Sequence, residues 1–130
     1  MIQINTDGKL KHIGNGLFIY EFNNDVGCIS QTGYSMIADI NGFNLVGLGH
    51  AIRYLNMCKK SRTIVRDKTS YTFKHYAEQW FKNSEEPCCI SNGQMITAFI
   101  IMGFKTYVDC GSSNTYHNLS TQHKIGFFSK

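Results

Sequence analysis

The stretch Ser-Asn-Gly-Gln-Met-Ile-Thr-Ala-Phe-Ile-Ile-Met-Gly, residues 91–103, predicts a buried helix around which the rest of the chain is organised. Ser91 and Gln94 have the S-x-x-Q spacing of a capping box, in which each side chain bonds the backbone amide of the other residue. Gly103 stands where a glycine in the left-handed conformation commonly ends a helix. The residues between are apolar in almost every direction, which is typical of a helix buried on most sides. We therefore expect a central core helix over residues 92–102.

Two amphipathic helices are predicted before this central helix. Apolar residues recur at helical spacing in residues 48–60, and Lys59 and Lys60 in the expected last turn would complement the helix dipole. A second helix is predicted from Thr69 or Ser70 to about residue 83. Its apolar stripe follows the i, i+3, i+4, i+7, i+8 spacing and consists of Phe73, Tyr76, Ala77, Trp80 and Phe81.

Short β-prone runs precede and follow the three helices. They cover residues 1–5, 10–13, 17–22, 26–30, 34–40, 104–108, 116–119 and 125–128. Residues 34–40 have a helical turn as their alternative. An order of strands, three helices and strands is typical of an α+β fold rather than an alternating βαβ fold. We predict one α+β domain, residues 1–130, in which N- and C-terminal strands share an antiparallel sheet that packs against the helices.

The composition excludes several classes of protein. Aromatic residues make up 13% of the chain, whereas disordered chains are poor in them. No charged and apolar leader opens the sequence, and no apolar run reaches the roughly 20 residues that a membrane helix needs. We therefore expect a cytoplasmic protein without a membrane partner. The five cysteines are odd in number and include the neighbours Cys88 and Cys89, which favours free thiols over a disulfide framework.

Positive charge is concentrated in the middle of the chain. Between Arg53 and Lys82, eight basic residues accompany two acidic ones, a net charge of +6, whereas the whole chain carries +4. The densest part, residues 59–68, contains Lys59, Lys60, Arg62, Arg66 and Lys68, flanked by Tyr54, Tyr71 and Tyr76. Basic groups beside aromatic rings can grip phosphates and stack bases. The alternative interpretation is a solvated face that keeps a small protein soluble.

Neither a metal site nor a phosphate loop has the required spacing. Potential metal ligands show no C-x-x-C or H-x-x-x-H pattern; they are Cys88, Cys89, Cys110, His117 and His123. The segment Gly47-Leu48-Gly49 lacks the third glycine of a dinucleotide-binding loop and predicts only a flexible lead into a helix. We expect no metal and no cofactor.

A cysteine nucleophile activated by a histidine is the alternative function. Cys89 precedes the central helix, whose dipole lowers the pKa of a thiol at its N-terminus. Cys110 lies seven residues before His117 across a predicted turn, so the two could converge. The pattern would suit a cysteine-dependent hydrolase or transferase using Cys89 or Cys110 with His117. No local signature of a known enzyme accompanies these residues, and incidental thiols are the simpler interpretation.

The block from Ser91 to Ser120 resembles a pattern in small proteins of tailed bacteriophages. The resemblance is carried by Ser91-Asn92-Gly93, Ile96, Ala98, Gly103-Phe104-Lys105, Asn114, Tyr116 and Asn118-Leu119-Ser120. It implies a phage or prophage gene expressed in the cytoplasm of a bacterial host, and it carries over no site residue. Proteins of that setting and size are often inhibitors of host defence, such as anti-CRISPR proteins, or host takeover factors. Many such inhibitors mimic DNA with acidic surfaces, a route that does not suit this basic chain.

These observations favour a binding or inhibitor protein over an enzyme. We predict non-covalent capture of a host protein or nucleoprotein complex, such as a defence nuclease, with nucleic acid or a nucleotide signal as the alternative ligand. The expected contacts are Lys59, Lys60, Arg62, Arg66 and Lys68. A structural phage part whose strand edges pair between subunits is a third hypothesis.

Overall fold

A computed structural model of the chain describes residues 2–5, 9–12, 18–22, 25–30, 33–35, 45–83, 88–109 and 112–120. The helices are α1 (Leu45–Asn56), α2 (Ser70–Asn83) and α3 (Asn92–Ile101). The strands are β1 (Ile2–Asn5), β2 (Lys9–His12), β3 (Phe18–Phe22), β4 (Asp25–Ser30), β5 (Gly33–Ser35), β6 (Thr106–Asp109) and β7 (Thr115–His117). The predicted α+β class, with strands on both sides of three helices, is confirmed.

Helix α3 begins and ends as its sequence predicts. The Ser91 hydroxyl accepts a hydrogen bond from the Gln94 amide at 3.1 Å, and the Gln94 side chain accepts one from the Ser91 amide at 2.8 Å. At the other end, Gly103 has a φ of +81°. The amides of Gly103 and Phe104 donate to the carbonyls of Ile100 and Phe99, the bond pattern of a Schellman motif. Both ends of the helix are therefore set by local chemistry.

The central position of α3 is confirmed as well. Every residue from Asn92 to Phe99 is buried. The helix contacts α1, α2 and the strands β2, β4 and β5. The Phe99 ring meets Phe73 of α2 at 5.6 Å between centroids and stacks on His117 of β7 at 3.9 Å. This mostly apolar helix thus packs against other elements on most of its sides, and Ile101 at its end is exposed.

The strands form two antiparallel sheets. The N- and C-terminal strands share one of them, in the order β1-β6-β7, as predicted for the two ends of the chain. The strands between them make a separate four-stranded sheet in the order β2-β3-β4-β5. Buried residues of this second sheet, including Tyr20 and Ile29, belong to the same core as α3. Two small sheets therefore pack around one helix where a single sheet was expected.

Helix α1 ends earlier than predicted, and this corrects the expectation for Lys59 and Lys60. The helix ends at Asn56, after which Met57 and Cys58 donate backbone hydrogen bonds in the i→i+3 pattern that tightens a last turn. Lys59 and Lys60 therefore lie beyond the helix, outside the reach expected for the dipole interaction.

Gly47 is part of α1 rather than a flexible lead into it. A Cβ atom at this position would lie 2.2 Å from Oε1 of Gln94, so the absence of a side chain lets α1 approach the first turn of α3. Gly47 thus allows the two helices to pack closely. Gly49 has no such role, because a Cβ atom there would face open space.

Some predicted features lie outside the described residues. They are most of the possible strand 34–40, the strand 125–128, Cys110 and His123. Within the described ranges, no helix combines the length and the apolarity that crossing a bilayer requires.

Candidate functional site

The segment between α1 and α2 that carries the basic run, residues 59–68, will be called the basic connector. Backbone hydrogen bonds hold it against the edge of β7 that faces away from β6 and against the residues that follow β7. The Ser61 amide donates to the Asn118 carbonyl at 2.6 Å, and the Val65 amide donates to the His117 carbonyl at 3.0 Å. The Ser120 amide donates in the other direction, to the Lys59 carbonyl at 2.8 Å. The basic connector therefore has a defined path along the sheet.

Four of the five predicted cations in the basic connector are exposed. They are Lys59, Lys60, Arg62 and Arg66. Within the described residues, no carboxylate lies within 4.0 Å of any of these four side chains. Lys68 differs, because it is half-buried and its Nζ lies 3.5 Å from a carboxylate oxygen of Asp67. The described carboxylates therefore pair with Lys68 but with none of the other four residues.

Two of these cations rest on aromatic rings of the neighbouring chain segment. Nζ of Lys60 lies 5.3 Å from the centre of the Phe104 ring. The Arg66 guanidinium lies 4.4 Å over the Tyr107 ring, and its Nη2 also donates to the Tyr107 hydroxyl. Such cation–π contacts hold a charged group in place without neutralising it. Lys60 and Arg66 are therefore positioned cations rather than freely moving ones.

Lys105 joins this group, although its place was not predicted from the sequence. Its Nζ donates to the Arg62 carbonyl at 2.7 Å, and its side chain is exposed. The sequence placed Lys105 in a predicted strand, residues 104–108, but no local feature indicated which segment would lie beside it. We define the basic surface as Lys59, Lys60, Arg62, Arg66 and Lys105.

The tyrosines predicted to flank the basic run do not contribute rings to this surface. Tyr54 is fully buried in α1, and Tyr76 packs against the core. Tyr71 is 49% exposed, but it lies on α2, where Lys74 covers its ring at 5.3 Å. The aromatic rings under the basic surface belong instead to Phe104 and Tyr107.

His117, the predicted base of the cysteine alternative, lies in the core. Its ring is fully buried and stacks on Phe99 with an interplanar angle of 5°. One ring nitrogen, Nε2, lies 2.6 Å from Oγ1 of Thr115, and the other, Nδ1, lies 3.1 Å from the Lys105 carbonyl. A neutral imidazole satisfies both contacts, with Nδ1–H donating to Lys105 and Nε2 accepting from Thr115. Both nitrogens are thus already engaged.

Burial also sets the charge state of His117. Removal from water lowers the pKa of its imidazole to about 3, and the hydrogen bond with the Lys105 backbone opposes this only in part. The imidazole is therefore neutral at physiological pH and closed to solvent. This geometry suits a core residue, and it gives the hydrolase or transferase hypothesis no support from the described residues.

The two predicted nucleophiles have different outcomes. Cys89 is exposed just before α3, as the sequence placed it, while Cys110 lies outside the described residues. No contact between Cys89 and a histidine occurs within the described part of the chain. The cysteine hypothesis stays a prediction without a supporting observation.

The cysteines should differ in their reaction with iodoacetamide at neutral pH. Burial raises the pKa of the Cys58 thiol to about 12, so its thiolate, the reactive form, is depleted by roughly three orders of magnitude relative to an ordinary thiol. We expect Cys89 to be labelled much faster than Cys58, as followed by peptide mass spectrometry. The variant Cys89→Ser serves as the assignment control. Faster labelling of Cys58 than of Cys89 would contradict the burial seen here.

Among the described residues, no group of three or more His, Cys, Asp or Glu side chains is arranged to hold a metal ion. Comparison of the chain with models of protein families, with curated proteins and with solved structures finds no match.

Proposed function

We propose that the protein is a binding protein that captures an anionic macromolecule through the basic surface. The observation that supports this is the arrangement of the cations. Lys60, Arg66 and Lys105 are held by contacts with the protein's own rings and carbonyls, and the described carboxylates leave their charge unpaired. A merely solvated face has no need to position its charges in this way. Positioned cations bind a polyanion at a lower entropic cost than mobile side chains.

The experiment compares two variants with the same loss of charge. Lys59→Gln/Arg62→Gln removes two cations from the basic surface, and Lys9→Gln/Lys82→Gln removes two exposed cations elsewhere. On a heparin column, we expect the first variant to elute at clearly lower salt than the wild type, since each lost contact lowers the salt dependence by about one counterion. The second variant should elute close to the wild type.

Equal shifts for the two double variants would overturn the proposal, because they would show that only net charge matters. All four positions are exposed, so loss of fold is not expected to obscure the comparison. Circular dichroism of each variant provides the control for folding.

The resemblance of residues 91–120 to phage proteins leads us to propose that this binding occurs in a bacterial host. We propose that the captured molecule is a host factor, such as a defence nuclease or its nucleic acid, and that capture inhibits it. Affinity capture from a bacterial lysate, with and without nuclease treatment, tests this part. A host protein retained after nuclease treatment by the wild type, and lost with Lys59→Gln/Arg62→Gln, supports inhibition by direct contact. Retention of the same host proteins by the wild type and by Lys59→Gln/Arg62→Gln would contradict inhibition by direct contact.

A further inference from the structure

The three-stranded sheet has one buried face and one outer face. Thr106 and Val108 of β6 and Thr115 and His117 of β7 are at most 1% exposed, so their shared face lies on the core. Residues directly paired across antiparallel strands point to the same face, and neighbours along a strand alternate. Tyr107 is paired with Tyr116, so these two residues lie together on the opposite face, where Tyr107 is only 5% exposed and Tyr116 is half-buried.

Arg66 joins the same outer face from the side. The basic connector follows the edge of β7 that faces away from β6, where the Val65 amide donates a hydrogen bond to the His117 carbonyl. Tyr107 is on β6, the next strand inward, and the Arg66 guanidinium lies over its ring. The Arg66 side chain must therefore cross β7, the strand that carries the half-buried Tyr116. A guanidinium plane and a tyrosine ring are thus brought side by side on one sheet face.

Among the described residues, the contacts of Arg66 use only part of its binding capacity. The central carbon of the guanidinium lies 4.4 Å from the centre of the Tyr107 ring, and one N–H donor is used by the Tyr107 hydroxyl. A guanidinium has five N–H donors, and the Arg66 side chain remains exposed. Its other donors have no partner in the part of the chain that the structure describes, so they can bind a ligand. Lys105 and Arg62 lie beside it, joined by the hydrogen bond from Nζ of Lys105.

We propose that this outer face binds single-stranded nucleic acid, with one base stacked on Tyr116, another on the Arg66 guanidinium, and phosphates bound by Arg62 and Lys105. This inference rests on the proposed function and names its ligand class. Single strands are bound by sheet faces that combine stacking planes with cations along the backbone. A duplex keeps the faces of its bases stacked inside, so it offers no base face to Tyr116.

The test measures binding of fluorescein-labelled oligo(dT) and oligo(U) of about 20 nucleotides, and of a duplex of the same length, by fluorescence anisotropy. We expect both single strands to bind more tightly than the duplex at equal salt. Tyr116→Ala should weaken single-strand binding by roughly 5- to 100-fold, since stacking contributes about 1 to 3 kcal/mol per base. The salt slope, which is the slope of the logarithm of the binding constant against the logarithm of the salt concentration, should equal that of the wild type, because no charge is lost.

Four further variants separate the contribution of stacking from those of charge and folding. Arg66→Lys keeps the charge but loses the planar group, so we expect weaker oligonucleotide binding with nearly unchanged elution from heparin. Lys105→Gln should instead lower the salt slope by about 0.7. Tyr71→Ala removes an exposed tyrosine outside this face and should bind like the wild type. Tyr116→Leu provides a second stacking-deficient variant that retains apolar bulk, should the alanine variant fail to fold.

The outcomes distinguish this inference from the proposed function. Tighter binding of the duplex, or Tyr116→Ala and Tyr116→Leu variants that bind single strands like the wild type, would overturn the inference. The proposed function would still stand if the heparin comparison came out as expected. Absence of oligonucleotide binding, together with capture of an acidic protein from nuclease-treated lysate, would identify a protein as the partner and also overturn the inference.

Discussion

Replacement of Phe99 by alanine is expected to lower the free energy of unfolding by about 3 to 5 kcal/mol. The Phe99 side chain is fully buried in the middle of α3. Its ring meets Phe73, Phe104 and His117 at centroid distances of 5.6, 5.1 and 3.9 Å. The substitution would leave a cavity lined by rings from α2, from β7 and from the segment between α3 and β6, so a shift of one of them alone cannot close it. Chemical denaturation followed by circular dichroism measures the loss.

Ile101→Ala is the matched control in the same helix. The Ile101 side chain is 47% exposed, so we expect its truncation to cost about 1 kcal/mol or less. Similar losses for the two variants would show that α3 is not the buried centre of the molecule. The architecture described above would then be contradicted at its centre.

Acidification should destabilise the protein through His117 well before most carboxylates become protonated. The pKa of this histidine is about 3 in the folded protein and 6.5 in its ordinary state, so the unfolded chain takes up the proton first. The contribution of His117 to stability is therefore complete above pH 6.5 and falls as the pH drops toward 3. The loss is about 1.4 kcal/mol per pH unit, or roughly 2 kcal/mol between pH 6.5 and pH 5.

The measurement is the pH slope of the unfolding free energy for the wild type and for His117→Phe. The phenylalanine ring can still stack on Phe99 but cannot titrate, so the variant should lack this part of the slope even if it is less stable at neutral pH. Carboxylates contribute to both slopes and cancel in the difference. Equal slopes would contradict a buried neutral histidine. Carbon chemical shifts of the imidazole, which should report the neutral form at pH 5, provide a direct second observation.

The sequence was most informative where structure depends on neighbours along the chain. The capping box of Ser91 and Gln94 and the glycine stop at Gly103 involve residues a few positions apart, and both are confirmed. The same holds for α2, whose stripe of apolar residues faces the core at Phe73, Ala77 and Phe81. Local hydrogen bonds and helical periodicity can be read without knowledge of the rest of the fold.

What the sequence could not predict depends on contacts between distant segments. Lys60 was expected in a helix, but it forms a β-bridge with Leu119. Lys105 and Tyr116 were not recognised as site candidates, because their position relative to Arg66 depends on the register of β6 with β7 and on the path of the basic connector. His117 was treated as a base because an exposed and a buried histidine look alike in one sequence. Only its contacts with Phe99 and Thr115 reveal a core residue.

The pairing of β1 with β6 has a consequence for how the chain folds. Ile2 pairs with Asp109 and Asn5 with Thr106, so this sheet joins segments about a hundred residues apart. During synthesis, β1 must therefore wait until residues 106–109 have left the ribosome before its hydrogen bonds with β6 can form. Closing so long a loop slows the search for the native topology, in contrast to the adjacent hairpins of the other sheet.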